Sequence, residues 1–117
     1  MKMIVAIIRP EHLEAVQASL NAHDVYLMTV SDVRGCGRQR GFTEVYRGTE
    51  IQIRLLPKVK LEIAVSDAFV EAAIEAIVHA ARSGETGQIG DGKIFVMPIE
   101  DAVRIRTGER GPTAIGP

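Results

Sequence analysis

The stretch IVAIIRPEHLEAVQASL, residues 4–20, has a close counterpart in LEIAVSDAFVEAAIEAIV, residues 61–78. Each begins with a short aliphatic run typical of a buried strand and continues with apolar residues at helical spacing. In the first copy this spacing is set by Leu13, Val16 and Leu20. In the second it is set by Phe69, Ala73, Ile77 and Ala81. The repeat therefore predicts two strand–helix units.

Helix starts and further strands complete this pattern. Pro10 suits the first position of a helix, and Ser66 suits an N-cap. Alternation and composition place the strand of the second copy at 58–65 and predict further strands at 25–33 and 94–99, with a short extended piece, VRIR, at 103–106. The order is βαββαβ, so we expect an α+β, ferredoxin-like fold: an antiparallel sheet with two helices on one face. This fold hosts many functions and decides none of them.

Length and composition limit the possible classes of protein. A chain of 117 residues predicts one domain, spanning 1–117. We expect no signal peptide and no membrane insertion, because no apolar run is long enough. The single cysteine, Cys36, excludes an internal disulfide and fits a reducing cytoplasm. With three histidines besides, a structural zinc site is not expected.

Charge is concentrated in residues 34–60, which hold seven Lys and Arg against two Glu in a chain of net charge −1. A basic segment of this kind suggests small anions or an acidic protein surface as partners, although a solvated basic loop would look the same. Nucleic acid is not the expected partner, because only 4% of the residues are aromatic. Residues 42–57 fit either a hairpin or a long loop, and a connection of that length is usually functional.

The stretch GQIGDGKIFV, residues 87–96, contains most of a P-loop. A P-loop follows a strand and opens a helix, whereas here a helix precedes and a strand follows. Ile94 also stands where a hydroxyl would hold Mg²⁺. Two interpretations remain: an anion-binding nest of backbone N–H groups assisted by Lys93, or an ordinary turn at Asp91-Gly92.

A pair of arginines follows this stretch. Arg104 and Arg106 would share one face of a strand and could grip phosphate, or they could simply be solvated on an edge strand. The segment from Gly35 to Gln39 likewise allows close backbone approach beside a cation and an amide.

Four motifs together resemble the PII-type nitrogen-regulatory signal proteins. They are TGQIGDGKIFVMPI at 86–99, RIRTGER at 104–110, GCGRQRG at 35–41 and EVYRGTE at 44–50. The resemblance covers nearly the whole chain. It implies a homotrimer with ATP or ADP in the clefts between subunits, a nucleotide-binding B-loop at about 83–93 and a C-terminal tail at about 107–117.

The resemblance also implies site residues. One subunit would supply the glycine segment together with Arg104 and Arg106, and its neighbour would supply Thr29 and the residues that follow Gly35. The full implied nucleotide set is Thr29, Gly35, Gly37, Arg38, Gln39, Ile89, Gly90, Asp91, Gly92, Lys93, Arg104 and Arg106. Beside Mg-ATP, 2-oxoglutarate would be held by Gln39, Lys58 and Gly90, with Gln39 also contacting Mg²⁺, a hard cation that prefers oxygen ligands.

Between strands 2 and 3, residues 37–56 correspond to the long T-loop, whose shape in the family depends on ligands. It would dock on an ammonium transporter or a nitrogen-metabolism enzyme, with Tyr46, Arg47, Thr49 and Ile51 as contact residues. Ile51 replaces the tyrosine that accepts a nucleotidyl group in many relatives, so we expect no such modification. Thr49 is a weak candidate for phosphorylation.

A second departure lies before the glycine segment, where the connection around Ser83 to Thr86 is about three residues longer than expected. The leading function is thus a cytoplasmic, non-enzymatic sensor of ATP, ADP and 2-oxoglutarate. One alternative is a divergent regulator of another pathway, such as bicarbonate uptake, that reads nucleotides without 2-oxoglutarate. A phosphate-handling enzyme would need a base near the glycines, where Asp91 is the only obvious carboxylate.

Overall fold

The computed structural model describes residues 1–36 and 54–116 of the chain. The elements, in chain order, are β1 (Lys2–Ile8), a 3₁₀ turn (Pro10–His12), α1 (Leu13–Ala22), β2 (Thr29–Gly35), β3 (Leu56–Val65), a 3₁₀ turn (Asp67–Phe69), α2 (Val70–Ala81), β4 (Gly92–Pro98) and α3 (Pro112–Ile115). This order confirms the βαββαβ prediction.

The strands form one antiparallel sheet in the order β2-β3-β1-β4. Ile8 of β1 faces Val59 on one side and Gly92 on the other. At the other end of β1, Lys2 faces Val65 and Pro98. We call the end of the sheet at Ile8, Val59 and Gly92 the loop end, and the end at Lys2, Val65 and Pro98 the tail end. Strands rise about 3.3 Å per residue, so the six steps from Gly92 to Pro98 separate the two ends by roughly 20 Å.

Alternating burial shows which face of the sheet the helices cover. In β1, Ile4, Ala6 and Ile8 are buried, whereas the residues between them are only partly buried. Strand β3 repeats this pattern in the same register, so both strands present apolar side chains to one layer. That layer is completed by Val16, Leu20, Ala73, Ala76, Ile77 and Ala81 of the two helices. The ferredoxin-like arrangement, with two helices on one face, is therefore confirmed.

Several predicted boundaries shift. Strand β2 begins at Thr29 rather than at Val25, after a turn in which Asp24 has a positive φ of 64°. Ser66 stands at the predicted N-cap position, but its side chain makes no capping hydrogen bond, and a 3₁₀ turn separates it from α2. Of the predicted T-loop, residues 37–56, the part at 37–53 lies outside the described residues.

The extended piece predicted at 103–106 is wrong. Val103 makes a single bridge to Arg110, and the chain turns immediately afterwards. The turn is closed by Arg104 N–H donating to Glu109 O at 2.9 Å and by Gly108 N–H donating to Arg104 O at 2.7 Å. Gly108 has a φ of +74°, a conformation that glycine adopts without strain. The alternation in VRIR therefore ends in a tight turn, which sequence alternation cannot reveal over four residues.

After this turn, the tail folds back on the sheet. The short helix α3 brings Ala114 and Ile115 beside Met3 and Ala64, near the tail end. None of the helices in the parts of the chain that the structure covers is long and apolar enough to cross a membrane.

Candidate functional site

The glycine-rich connection, residues 82–91, joins the end of α2 to the start of β4 and lies at the loop end of the sheet. Two other parts of the chain bond to it there, and β2 ends on the same side of the sheet. Arg9 follows β1 directly, Lys58 lies near the start of β3, and Gly35 ends β2 opposite Leu56. Lys58 thus meets the glycine segment, and Gly35 lies beside Lys58.

Asp91 organises this connection. Its Oδ1 accepts hydrogen bonds from Ser83 Oγ at 2.6 Å and Arg9 Nε at 2.9 Å. Its Oδ2 accepts from the backbone N–H groups of Ser83 and Gln88, each at 2.9 Å. Partial burial raises the pKa of the Asp91 carboxyl, but the bonds from Ser83, Gln88 and Arg9 outweigh it and hold the pKa well below its usual range. The carboxylate is therefore ionised and fully engaged.

Two cations grip the backbone of the same connection. An Nη nitrogen of Arg9 donates to Ile89 O at 2.9 Å, and Lys58 Nζ donates to Gly90 O at 2.6 Å. Desolvation lowers the pKa of Lys58, and the nearby charge of Arg9 lowers it further, while Glu11 and Asp91 act in the opposite direction. Two cations, Arg9 and Lys58, thus lie close together at the loop end, beside the carboxylates of Glu11 and Asp91.

Gly92 fixes the exit from the connection into β4. Its φ is +114°, and a Cβ placed there would lie 1.7 Å from Ile7 O. Only glycine permits this approach, so the requirement is steric as well as conformational. Lys93 follows, opposite Ile7 in the sheet, and its side chain is exposed and makes no ion pair with any residue that the structure describes.

Beside the connection, a cleft of about 670 Å³ opens between α2 and β4. Its walls are mostly apolar, with Ile74, Val78 and Ile94 on one side and Gln88 and Lys93 toward the loop. Among residues 1–36 and 54–116, no group of three or more His, Cys, Asp or Glu side chains is placed to hold a metal ion. Gln39, the predicted Mg²⁺ contact, lies outside the described residues.

Arg104 and Arg106 lie elsewhere. Arg104 is bound to Glu109 at 2.8 Å and to Thr113 O at 2.7 Å, in the segment that packs near the tail end. Arg106 is exposed in the turn that follows. Within one chain, the length of β4 therefore lies between the glycine segment and both arginines. The grouping of both sets in one subunit stays a prediction.

The remaining predicted residues divide between these regions and the undescribed part. Thr29 begins β2 opposite Glu62 and lines a hollow with Ala114, on the side of the tail. Ile89 is exposed in the glycine connection. Outside the described residues lie Gly37, Arg38, Gln39, Tyr46, Arg47, Thr49 and Ile51.

Sequence reasoning missed two residues at the loop end, Arg9 and Ser83. Arg9 appears in the sequence only as the last residue of a strand, and Ser83 as part of a loop. Neither residue belongs to a sequence motif, because their hydrogen-bond partner, Asp91, is 82 residues from Arg9 and 8 residues from Ser83. The sequence feature that could have pointed to Arg9 was its positive charge at the end of a strand.

Comparison with known proteins identifies the family. The family profile described as "Nitrogen regulatory protein P-II" matches residues 1–109. A "Nitrogen regulatory protein P-II" of Rhodospirillum rubrum is 55% identical over 115 residues, which cover 98% of this chain and 100% of the relative. "Nitrogen regulatory protein P-II 2" of Methanothermobacter thermautotrophicus is also 55% identical, with coverage of 98% and 97%. "Nitrogen regulatory protein GlnK1" of Methanosarcina mazei is 51% identical, with the same coverage. The chain belongs to the P-II family of nitrogen regulatory proteins.

Proposed function

We propose that this chain is a non-enzymatic sensor that binds ATP or ADP at the loop end and regulates proteins of nitrogen metabolism. Its relatives are named nitrogen regulatory proteins. The observation that carries the proposal is the glycine connection itself, whose carbonyl groups are held by Arg9 and Lys58. With those carbonyls occupied, the N–H side of the loop is the side open to an anion.

Phosphate would bind the backbone of this connection. Among the residues that the structure covers, the N–H groups of Ile89 and Gly90 donate no hydrogen bond. Successive free N–H groups in a turn form an anion-binding concavity. Lys93, one strand residue beyond Gly92, would add a positive charge to a polyphosphate.

The nucleotide site would be completed by a neighbouring copy in a homotrimer. The loop end of one subunit holds the glycine connection, and its tail end holds Arg104 and Arg106. A cleft between subunits that joins the loop end of one copy to the tail end of the next would contain both sets. This is a revision of the expected division, in which one subunit supplied both.

In this proposal 2-oxoglutarate binds beside Mg-ATP. Lys58 would exchange its hydrogen bond with Gly90 O for the distal carboxylate of the ligand, while Gln39 and the phosphates would contact Mg²⁺. Desolvation and then the charge of Arg9 lower the pKa of Lys58, and a bound carboxylate would oppose both effects. Mg²⁺ held there would supply positive charge that offsets the negative charges of the phosphates and of the 2-oxo acid.

The regulatory output would come from residues 37–56. Ligands with different affinities for two shapes of this segment would shift its population and so control docking on an ammonium transporter or a nitrogen-metabolism enzyme. Arg47 and Tyr46 would contact the target. Ile51 has no phenol to accept a nucleotidyl group, and Thr49 is the candidate for phosphorylation. We place this activity in the cytoplasm, where the nucleotides and a free Cys36 are expected.

The surroundings of Asp91 suit a structural role for this carboxylate and not the role of a general base. A general base needs a pKa near the working pH and a free lone pair directed at the substrate. The pKa of Asp91 is held far below neutrality, and its oxygens accept four hydrogen bonds from the protein. It is suited to holding the loop, not to moving a proton.

Calorimetric titration with ATP, ADP and 2-oxoglutarate, with and without Mg²⁺, tests the proposal. We expect ATP and ADP to bind alone and 2-oxoglutarate to bind only with Mg-ATP. Failure of both nucleotides to bind would contradict the proposal. Nucleotide binding without any 2-oxoglutarate binding would favour a regulator of another pathway. As a specific check, Gln39→Glu should abolish 2-oxoglutarate binding and leave ADP binding intact.

A further inference from the structure

The hydrogen bonds of Asp91 join three parts of the chain that are otherwise independent. Ser83 lies two residues after α2, Gln88 lies in the middle of the glycine connection, and Arg9 follows β1. All of them donate to one carboxylate, over distances of 2.6 to 2.9 Å. A second link, from Asp91 N–H to Gln88 O at 3.1 Å, closes the turn that contains Ile89 and Gly90.

These bonds decide the shape of the backbone that would meet phosphate. The turn over 88–91 is closed by the backbone bond and by the bond from Gln88 N–H to Oδ2 of Asp91. Arg9 binds this turn at two points, the Asp91 carboxylate and Ile89 O. Because Arg9 and Asp91 expose only 23% and 18% of their side chains, this ion pair is less screened by water than a pair at the surface.

Ser83 connects the lengthened part of the connection to this arrangement. Within the region Ser83 to Thr86, only Ser83 donates to the Asp91 carboxylate. It does so through its side-chain hydroxyl and its backbone N–H group. The start of this region is therefore attached to the turn through Ser83.

We propose that Ser83 and Arg9, acting through Asp91, are positioning residues that hold the 88–91 turn in its phosphate-binding shape. The inference rests on the proposed nucleotide-binding function. A turn held in its bound shape before the ligand arrives loses less conformational freedom on binding, so the affinity for polyphosphate is higher. The effect should be largest on the phosphates, because the apolar wall at Ile74, Val78 and Ile94 belongs to α2 and β4, although Gln88, Ile89 and Asp91 of the turn also line the cleft.

The test compares Ser83→Ala and Ser83→Thr with the wild-type protein. Removing the hydroxyl leaves a short, charge-assisted hydrogen bond unmade, so we expect about a ten-fold loss of ATP affinity. The loss for AMP should be about three-fold or less, because AMP places a single phosphate on the turn. Ser83→Thr keeps the hydroxyl and should restore ATP affinity to within about three-fold of wild type.

Ser19→Ala is the matched control. Ser19 Oγ also donates a single bond, to Ala76 O at 3.0 Å, but it joins the two helices away from the loop. Ser19→Ala should lower the melting temperature without changing the ratio of ATP to AMP affinity. Arg9→Gln provides a second, independent variant and should change that ratio in the same direction as Ser83→Ala.

Amide hydrogen exchange of the ligand-free protein gives a readout independent of nucleotide. The N–H of Gln88 should exchange faster in Ser83→Ala than in wild type. If wild type binds no ATP, the proposed function fails. If wild type binds ATP but Ser83→Ala and Arg9→Gln leave both the ATP to AMP ratio and the exchange of Gln88 unchanged, the positioning role is overturned.

Discussion

The two ends of the sheet hold their arginines in different ways. At the loop end, Arg9 is mostly buried and is bound to Asp91 and to Ile89 O. At the tail end, Arg110 pairs with Asp101 on the surface, where its side chain is 70% exposed. Surface pairs of this kind contribute little to stability, whereas a partly buried pair with further hydrogen bonds fixes a geometry.

This difference indicates what each end is built to do. The loop end is preformed within one chain, because its bonds are satisfied by residues of the same chain. The tail end exposes Arg106 and the fully exposed Ile105 side by side, without a cover among the described residues. An exposed apolar side chain beside a cation is suited to contact with a second copy. We infer that the loop end binds and that the tail end of a neighbour completes it.

Glycines at the two ends provide the largest contrast. Gly92→Ala should lower the free energy of unfolding by about 3 kcal/mol or more, because its Cβ would overlap Ile7 O. Gly108→Ala at the tail end has a φ of +74° but nothing within 4 Å of the added Cβ. It should cost only about 1 kcal/mol of backbone strain. Urea unfolding of both variants measures the difference, and equal losses would contradict the crowding assigned to Gly92.

Lysines of β3 test the ligand assignment at the loop end. Lys58→Met should weaken 2-oxoglutarate binding in Mg-ATP by about ten-fold or more, since the variant loses a charged hydrogen bond. Lys60→Met is the control, because Lys60 lies two residues along the same face and its partner is Glu62 at 3.9 Å. Calorimetry that finds equal 2-oxoglutarate affinities in the two variants would refute the role of Lys58.

The arginines of the tail end should separate stability from binding. Arg104→Ala removes bonds to Glu109 and Thr113 O, so it should lower the free energy of unfolding by about 0.5 to 1 kcal/mol. Arg106→Ala should leave unfolding unchanged. Both should weaken ATP binding by several-fold, about 1 kcal/mol in binding free energy. A normal ATP affinity in Arg106→Ala would remove the tail end from the site.

The pH dependence of stability should reflect Asp91 at the loop end. Its pKa in the folded protein lies below the ordinary value of 3.8, so its stabilising effect is complete above that value. The effect is lost as the pH falls below 3.8 toward the folded pKa. Asp91→Asn should therefore be less stable than wild type at pH 7, and the gap should narrow steadily below pH 3.8. A gap that stays constant between pH 7 and pH 2.5, measured by thermal unfolding, would rule out this assignment.

The sequence predicted the fold well because the repeat carries two independent periodicities. Ile4, Ala6 and Ile8 alternate, and Val16 and Leu20 follow at helical spacing, so burial in the structure repeats both patterns. The strand predicted at 103–106 failed because alternation over four residues does not separate a strand from a turn that glycine permits at Gly108.

The candidate site was predicted only in part, and the reason is distance along the chain. Lys58 and Gly90 were assigned together and do meet, at 2.6 Å. The grouping of the arginine pair with the glycine segment in one subunit stays a prediction, because sequence motifs carry no information about which end of a strand a following segment occupies. Arg9 and Ser83 were missed because hydrogen bonds to a distant carboxylate leave no local pattern.

Co-assembly of two variants tests the central claim, a site shared by neighbouring copies in the proposed trimer, most directly. One parent carries Lys93→Ala at the loop end, and the other carries Arg104→Ala with Arg106→Ala at the tail end. Each parent alone should bind ATP weakly. If a cleft combines the loop end of one subunit with the tail end of the next, random co-assembly should restore about one quarter of the clefts to wild-type affinity. If mixed trimers recover no tight ATP binding, the two ends of neighbouring copies do not complete one site.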